Sequence, residues 1–570
     1  MNKTKIVNII VVSMFLLIGL GLFNIEVIQG KKYRVLSNKN CIRLIPQMGS
    51  RGKILDRNGE TIVDSRISYD LLISPEDRGQ QEKILQSVSR VLKVNIEDLR
   101  KTYRNNFVSV SVPTVVAKNI GLKNAISLEE IKVDQPGIII MPRPVRNYPF
   151  GNLAAHVIGY LGEIDRWRLT KLADYGYKTK DIVGFGGVEE KYDYYLRQEE
   201  GGVSLEVDHR GRFTRVLGYQ PPKSGLDIQL TIDFRIQKIA GDALAGRSGC
   251  AIILNPNTGE IIAMVSSPSF NPGDFIESEK SLSGYFTNSA SPLINRAISS
   301  SYPPASVFKT VVATAALETR KINPSTTFVC SGSTLIGARK FNCWSTHGPE
   351  NLNQAIAHSC DVFFYRTGLI TGAQVIHDYA LKLGLGRPSG FELPYEASGS
   401  IPSPLWRKIN KFKNWFDGDT ANLSIGQGDC LVTPLQMARL MCVFANEGYL
   451  VTPYIVKTID GRDISKYQKR IVLLPLKAST IDNVRSGLRA VAGDPDGTAS
   501  ILSTLPVEVA GKTGTAQVPP KSSHAWFAGF FPYKDPKYVI CVFLEHGGSG
   551  HASAMVAKNI IEGMQKENLL

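Results

Sequence analysis

Ser306 and Lys309 stand three residues apart in Ser301-Tyr-Pro-Pro-Ala-Ser-Val-Phe-Lys-Thr310, an otherwise apolar stretch. A serine hydroxyl is a weak nucleophile until a base takes its proton, and a neutral lysine amine can serve as that base. Pro303 and Pro304 favour an extended approach, and the Ala-rich run Val307 to Leu317 after them reads as a helix. Ser306 is therefore expected in the first helical turn, with Lys309 on the same face. By itself the pair carries little weight, because a solvated helix start has the same composition.

Two further stretches supply what the pair lacks. His358-Ser359-Cys360-Asp361 follows an amphipathic run, Leu352 to Ala357, and Lys512-Thr513-Gly514-Thr515 opens a strand-like segment near the C-terminus. A second cation beside the first lysine favours its neutral form, so Lys512 is read in that role and as an attractor for a substrate carboxylate. Ser359 is placed to relay a proton between Lys309 and a leaving amine, and Asp361 to orient the pair. Thr513 and Thr515 offer hydroxyls to the carboxylate. Gly514 lets a substrate backbone lie along the strand. The backbone N–H groups of Ser306 and Thr515 are the expected oxyanion hole.

A separate group is Cys330, Cys343, His347 and Cys360, spaced C-x12-C-x3-H-x12-C. Three thiols and an imidazole suit a tetrahedral structural zinc, which would tether the loop carrying Ser359. The competing readings are a Cys330–Cys343 disulfide, a plain turn at His347-Gly348, and Cys360 as a filler of core space.

The elements that must position these residues can be read in outline. Gly249 to Leu254 and Glu260 to Ser266 flank Asn255-Pro-Asn-Thr-Gly259 as a β-hairpin. Asp227 to Asp233 alternates as a strand, with an amphipathic helix from Phe234 to Leu244. Ala- and Leu-rich helices occupy much of 305–450, and strands return at Val507–Ala510, Thr513–Val518, Ala525–Phe531 and Tyr538–Leu544. A hairpin, then helices, then strands predicts an antiparallel sheet flanked by a helical cluster, in an α/β (α+β) chain. Before residue 225 the texture is mixed: a turn at Asn58-Gly59, a helix over Gln81 to Leu99 and a strand over Val108 to Val116. No nucleophile–base pair stands out there, and His156 and Glu189 read as structural.

At 570 residues, 43% apolar and 21% charged, the chain is globular with ample core. Its net charge of +15 is spread along the sequence, without a nucleic-acid-binding signature, so a membrane surface or anionic polymer is the expected partner and nucleic acid is not. Ile6 to Phe23 is apolar except for Asn8 and Ser13, long enough to span a bilayer, and Asn24 to Ile28 extends it. It lacks a good cleavage site, so an uncleaved anchor is expected. Flanking Lys3, Lys5, Lys31, Lys32 and Arg34 do not orient it. The expected organisation is a short cytoplasmic tail (1–5), a transmembrane anchor (6–28), a membrane-proximal domain (29–225) and a catalytic domain (226–570).

S-x-x-K, S-x-[ND] and K-T-G in this order resemble the penicillin-recognising serine enzymes. Over nearly its whole length the chain resembles the class B penicillin-binding proteins, most of all their elongation-specific subgroup. The resemblance includes Arg51-Gly-x-Ile-x-Asp-Arg-Asn-Gly59, Arg146-Asn-Tyr-Pro-Phe-Gly151 with His156, Asn295-Arg-Ala297, Gly418-Asp-Thr420, Ile425-Gly-Gln-Gly428, Thr433-Pro-Leu-Gln436 and His524-Ala-Trp-Phe-Ala-Gly529. Ala305 departs from a usual Gly and Asp361 from the commoner Asn. The resemblance implies an elongated pedestal and a penicillin-binding/serine β-lactamase-like transpeptidase domain, on a single-pass inner-membrane protein with its catalytic domain in the periplasm. It implies D,D-transpeptidation in cell-wall elongation: Ser306 attacks the D-Ala–D-Ala carbonyl of a peptidoglycan stem peptide, and β-lactams trap the acyl-enzyme. The implied partners are stem peptides, β-lactams, membrane lipid, a glycosyltransferase of the shape, elongation, division and sporulation type, and other elongation-complex proteins. No cofactor is needed for that chemistry. A D,D-carboxypeptidase differs only in acceptor, and a β-lactam sensor or silent scaffold is the alternative of a different class.

Overall fold

The computed structural model describes residues 3–34, 42–74, 78–107, 113–207, 213–277, 279–468 and 470–570. The chain opens with helix α1 (Lys3–Phe23), which runs on through a π-helical turn, Asn24–Ile28. Thr4–Ile28 has a mean hydropathy of 2.7 and none of it is buried. At 1.5 Å per residue these 25 residues reach about 37 Å, more than the roughly 30 Å of a bilayer's hydrocarbon core. With no protein against it, the length and composition of α1 are those of a membrane anchor.

The rest divides into two compact units. The first comprises 1–52, 65–145 and 197–225, and the second 53–64, 146–196 and 226–570. In the first unit, Ile42–Gln47, Gly201–Val207 and Phe213–Gln220 form an antiparallel three-stranded sheet, with Gln47 opposite Gly201 and Gly202 opposite Gln220. A separate small core (Leu71, Ile73, Leu85, Val88, Leu128, Ile138) lies between the strand pair around Leu72 and Val115 and helices Arg78–Leu92, Ile96–Asn106 and Leu122–Lys132. The single helix expected over 81–99 is two helices. Lys93 takes a left-handed φ of 55°, and Asn95 caps the second helix by accepting from Glu97 N at 2.9 Å. The strand expected over 108–116 is described only from Thr114, since 108–112 lie outside the described residues.

In the second unit, helix α2 (Phe234–Ala243) precedes a hairpin, β1 (Gly249–Leu254) and β2 (Ile261–Ser267). Helices α3 (Lys309–Glu318), α4 (Leu352–Ala357), α5 (Asp361–Thr371), α6 (Asp417–Ser424), α7 (Pro434–Ala445) and α8 (Ala478–Gly493) follow. The chain closes with β3 (Ala510–Val518), β4 (Lys521–Phe531), β5 (Tyr538–Leu544) and α9 (Gly550–Lys566). The five strands form one antiparallel sheet in the order β2-β1-β5-β4-β3. Helices α2 and α9 pack on this sheet, and so does α7, whose twelve residues are all buried. Cover on both faces explains why β1 is buried at every position instead of alternating.

The strand expected over 227–233 is shorter and lies elsewhere. Ile228–Leu230 pairs with Ile54–Leu55 and with Val456–Ile459, not with the five-stranded sheet. Its end is set by Asp233, whose carboxylate accepts from Arg235 N and so starts α2.

Candidate active site

Ser306 lies in a 3-10 turn, Ala305–Phe308, and the α-helix begins only at Lys309. The expected first α-helical turn is thus a tighter one. Ala305 N–H donates to the Gly426 carbonyl at 3.0 Å, and Ala305 sits at φ 49°, in the left-handed region. Beneath it, Gly426 (φ 66°) allows the contact: a Cβ there would stand 2.3 Å from the Ala305 carbonyl oxygen. Trp526 Nε1 donates to the Pro303 carbonyl at 2.9 Å and fixes the approach from the sheet side. The turn is held from two directions and Ser306 is left half-buried at its tip.

Lys309 is completely buried. Its Nζ donates to Asp361 Oδ1 at 2.6 Å and to the Ser359 carbonyl at 2.8 Å, and lies 3.2 Å from Ser359 Oγ. Ser359 reaches it because its φ of 54° turns the chain out of α4, and Asp361 because it is the first residue of α5. The side chains of the S-x-x-K and S-x-D stretches therefore meet at one amine.

Lys512 is also fully buried, with its Nζ 3.5 Å from the Thr513 carbonyl. Burial, and then the charge of Lys309, push the Lys512 amine well below the usual lysine range, against the pull of Asp361. The two buried lysines act on each other electrostatically, and no described carboxylate lies in hydrogen-bond contact with the Lys512 amine.

The K-T-G strand β3 is an edge of the sheet, with Lys512 opposite Ala528 and Thr515 opposite Ala525. Thr515 is exposed, its carbonyl accepts from Gln427 Nε2 at 3.3 Å, and its hydroxyl accepts from Gly550 N at 3.0 Å. In a strand the N–H and C=O of one residue point the same way, so the Thr515 N–H faces outward with its carbonyl. Thr513 Oγ1 shares a hydrogen bond with Thr498 Oγ1 at 2.7 Å. Gly514 packs closely. A Cβ there would meet the Pro304 carbonyl, Trp526 Cβ and Val307 Cγ2, each at 3.2 Å, so its missing side chain lets the strand lie on the serine turn.

Cys330, Cys343, His347 and Cys360 converge, with their ligand atoms all within 4.8 Å of one another. His347 Nδ1 is 3.6 Å from both Cys330 Sγ and Cys343 Sγ. The neighbouring Cys360 thiol holds the Cys343 thiol below the usual thiol range, and the same pairing pushes Cys360 up. Cys330, Cys343 and Cys360 are free thiols. His347-Gly348 leads into a short strand, Gly348–Glu350, paired with Phe328–Cys330, in place of a plain turn. Cys360 does fill core space, and its sulfur also accepts from Phe363 N at the start of α5. Asp361 N donates to Cys343 Sγ at 3.3 Å, which links this cluster to the residue paired with Lys309.

His156 and Glu189 are tied into packing. His156 Nε2 bonds the Pro292 carbonyl at 2.8 Å, and Glu189 pairs with Arg146 at 2.8 Å, both side chains buried. Sequence reasoning gave no role to Gln427, Thr498 or Trp526, which brace the site from remote segments. The stretches Ile425–Gly428 and His524–Gly529 carried Gln427 and Trp526 as parts of motifs, without a role for either.

Residues 249–562 match the penicillin binding protein transpeptidase domain and 46–230 the penicillin-binding protein dimerisation domain. The chain is 31% identical over 581 aligned residues to the peptidoglycan D,D-transpeptidase MrdA of Escherichia coli K12, covering 95% of this chain and 90% of that one. Its structure resembles the Helicobacter pylori PBP2 solved in complex with MreC (TM-score 0.83, 28% identity, 93% of this chain and 99% of that one). It also resembles a chain of a peptidoglycan synthase complex that coordinates polymerization and crosslinking (TM-score 0.75, 27% identity, 99% and 98%).

Proposed function

This chain belongs to the penicillin-binding protein family of transpeptidases, and from that premise we propose that it is a peptidoglycan D,D-transpeptidase acting through an acyl-serine at Ser306. The observation that carries the assignment is the meeting of Ser359 and Asp361 on the buried amine of Lys309, three residues after Ser306. Lys309 takes the Ser306 proton as Oγ attacks the D-Ala–D-Ala carbonyl of a stem peptide. Ser359 passes that proton to the nitrogen of the departing D-Ala. The amine of a second stem then attacks the ester, loses its proton along the same path, and returns Ser306 to the hydroxyl form. The N–H groups of Ser306 and Thr515 stabilise the oxyanion, while Lys512, Thr513 and Thr515 receive the substrate carboxylate and Gly514 keeps the strand close. We read 29–225 as the pedestal and 226–570 as the transpeptidase domain. The test is labelling with a fluorescent penicillin followed by digestion. The label belongs on the peptide containing Ser306, and a label elsewhere overturns the assignment.

The chemistry needs no cofactor. Cys330, Cys343, His347 and Cys360 are read as ligands of a structural zinc. In a tetrahedron with Zn–S bonds of about 2.3 Å and a Zn–N bond of about 2.0 Å, a sulfur–nitrogen edge is about 3.5 Å, close to the 3.6 Å separations here. The ion would fix the segment carrying Ser359 and Asp361. Metal analysis of chelator-free protein should find about one zinc per chain. Cys360→Ser and His347→Ala should each lose it.

The anchor α1 and the residue kinds of the family support a single-pass inner-membrane protein with its catalytic domain in the periplasm. A glycosyltransferase of the shape, elongation, division and sporulation type and other elongation proteins are the expected partners. N-terminal sequencing of membrane-extracted protein tests the anchor, and a mature start near residue 25 would refute it.

A further inference from the structure

Two buried polar atoms beside the cysteine cluster lack partners among the described residues: His347 Nε2 and Glu350 Oε2. They are chemically complementary. His347 turns Nδ1 toward the thiol sulfurs, and an imidazole that ligates through Nδ1 carries its proton on Nε2. Nε2 is then a buried donor without an acceptor, and Glu350 Oε2 a buried acceptor without a donor. Leaving either unmade is costly in a protein interior.

The strand register places Glu350 beside the cysteine cluster. Cys330 lies opposite Gly348 and Phe328 opposite Glu350, so Glu350, two residues beyond Gly348, projects from the face of the ladder that carries Cys330. Glu350 is 2% exposed, and its other oxygen, Oε1, bonds His358 Nδ1 at 2.9 Å. The His358 ring lies parallel to that of His347, with centroids 5.9 Å apart. The His358 carbonyl accepts from Trp344 Nε1 at 3.0 Å, and the next residue is Ser359.

We infer that Glu350 is a positioning residue for the metal cluster: its Oε2 accepts the Nε2 proton of His347, while His358 holds its Oε1. One buried chain of hydrogen bonds then runs from the metal-binding imidazole to the residue preceding Ser359. The inference rests on the zinc reading above. A ligating imidazole needs its second nitrogen held to fix ring orientation and basicity, and removing such an outer partner weakens metal binding by roughly 10- to 100-fold.

The test is zinc affinity of the full-length, detergent-solubilised chain, by competition with a chromophoric chelator. The expected order is wild type, then Glu350→Gln, which keeps an acceptor oxygen at the same reach, then Glu350→Asp and Glu350→Ala, weaker than wild type by roughly 10-fold or more. If Glu350→Ala does not fold, the Gln and Asp variants carry the comparison. In the cobalt(II)-substituted protein, the visible bands of the Gln and Asp variants should shift, which a loss of packing alone would not cause. Wild-type zinc binding with an unchanged affinity across the series overturns the role of Glu350 alone. A wild-type chain that binds no zinc overturns the metal reading and this one with it.

Discussion

Lys309 Nζ and Asp361 Oδ1 stand 2.6 Å apart, one fully buried and the other 18% exposed at its side chain. A buried amine left without an acceptor is destabilising, so the carboxylate is structural as well as chemical. Asp361→Asn keeps an oxygen in place and should label with penicillin within about tenfold of wild type, because the amide still accepts. Asp361→Ala should lower stability by about 2–4 kcal/mol and slow labelling further. Thermal unfolding and labelling kinetics on the two variants check this.

Ser306→Ala should abolish covalent labelling without loss of fold, since the turn is held by Gly426 and Trp526 and not by the hydroxyl. Lys309→Ala removes the base and should slow acylation by about 10²–10⁴-fold. Lys512→Ala should chiefly weaken recognition, raising the β-lactam concentration needed for half-labelling. Stopped-time labelling over a concentration series separates the two effects.

Gly550 and Gly514 should tolerate alanine differently. A Cβ on Gly550 would stand 2.9 Å from Gly514 N and O, backbone atoms unable to swing aside, whereas on Gly514 the nearest contacts are 3.2 Å. Gly550→Ala should cost about 1–3 kcal/mol and Gly514→Ala less, by thermal melting. Both push the K-T-G strand against the serine turn, so labelling should slow in the same order.

The protein should lose stability as pH falls from 6.5 to about 4, partly through His156. Burial depresses its pKa from 6.5 to about 4, although the bond to the Pro292 carbonyl opposes this. The unfolded chain therefore binds the proton first. The contribution is fully present above pH 6.5 and is lost as pH falls through this window, up to about 3 kcal/mol. Denaturant unfolding of His156→Gln across this range should show a shallower slope than wild type.

Glu189→Ala removes the carboxylate 2.8 Å from the Arg146 guanidinium, a pair buried on both sides. A loss of about 3–5 kcal/mol is expected by chemical denaturation, far more than for a surface pair such as Lys223–Glu199.

What was legible in the sequence is what side-chain type and local spacing encode. Ser306 and Lys309 sit on one turn, and the apolar hairpin at 249–267 can only be a buried strand pair. The four metal-type ligands were visible because thiols and imidazoles are scarce in this chain. What local patterns do not carry is which remote segment supports them. Gly426 lies under Ala305, and Gln427 bonds Thr515, across long sequence separations. Asp227–Asp233 alternates like a strand, yet the Asp233 cap ends it early and its partners are 54–55 and 456–459. The packing of Gly514 against Pro304 and Val307 is likewise set by the tertiary fold.

Strand β3 ends the sheet, so Thr515 presents main-chain groups sideways to whatever docks there. Backbone groups cannot be deleted by a point mutation. A variant selected to evade β-lactams while still crosslinking wall has no side chain to discard along this edge. Its route is to tilt or shift the strand through residues that seat it, such as Gly550, Thr498 and Trp526. Resistance arising here should therefore appear as substitutions behind the strand, each lowering thermal stability along with drug affinity.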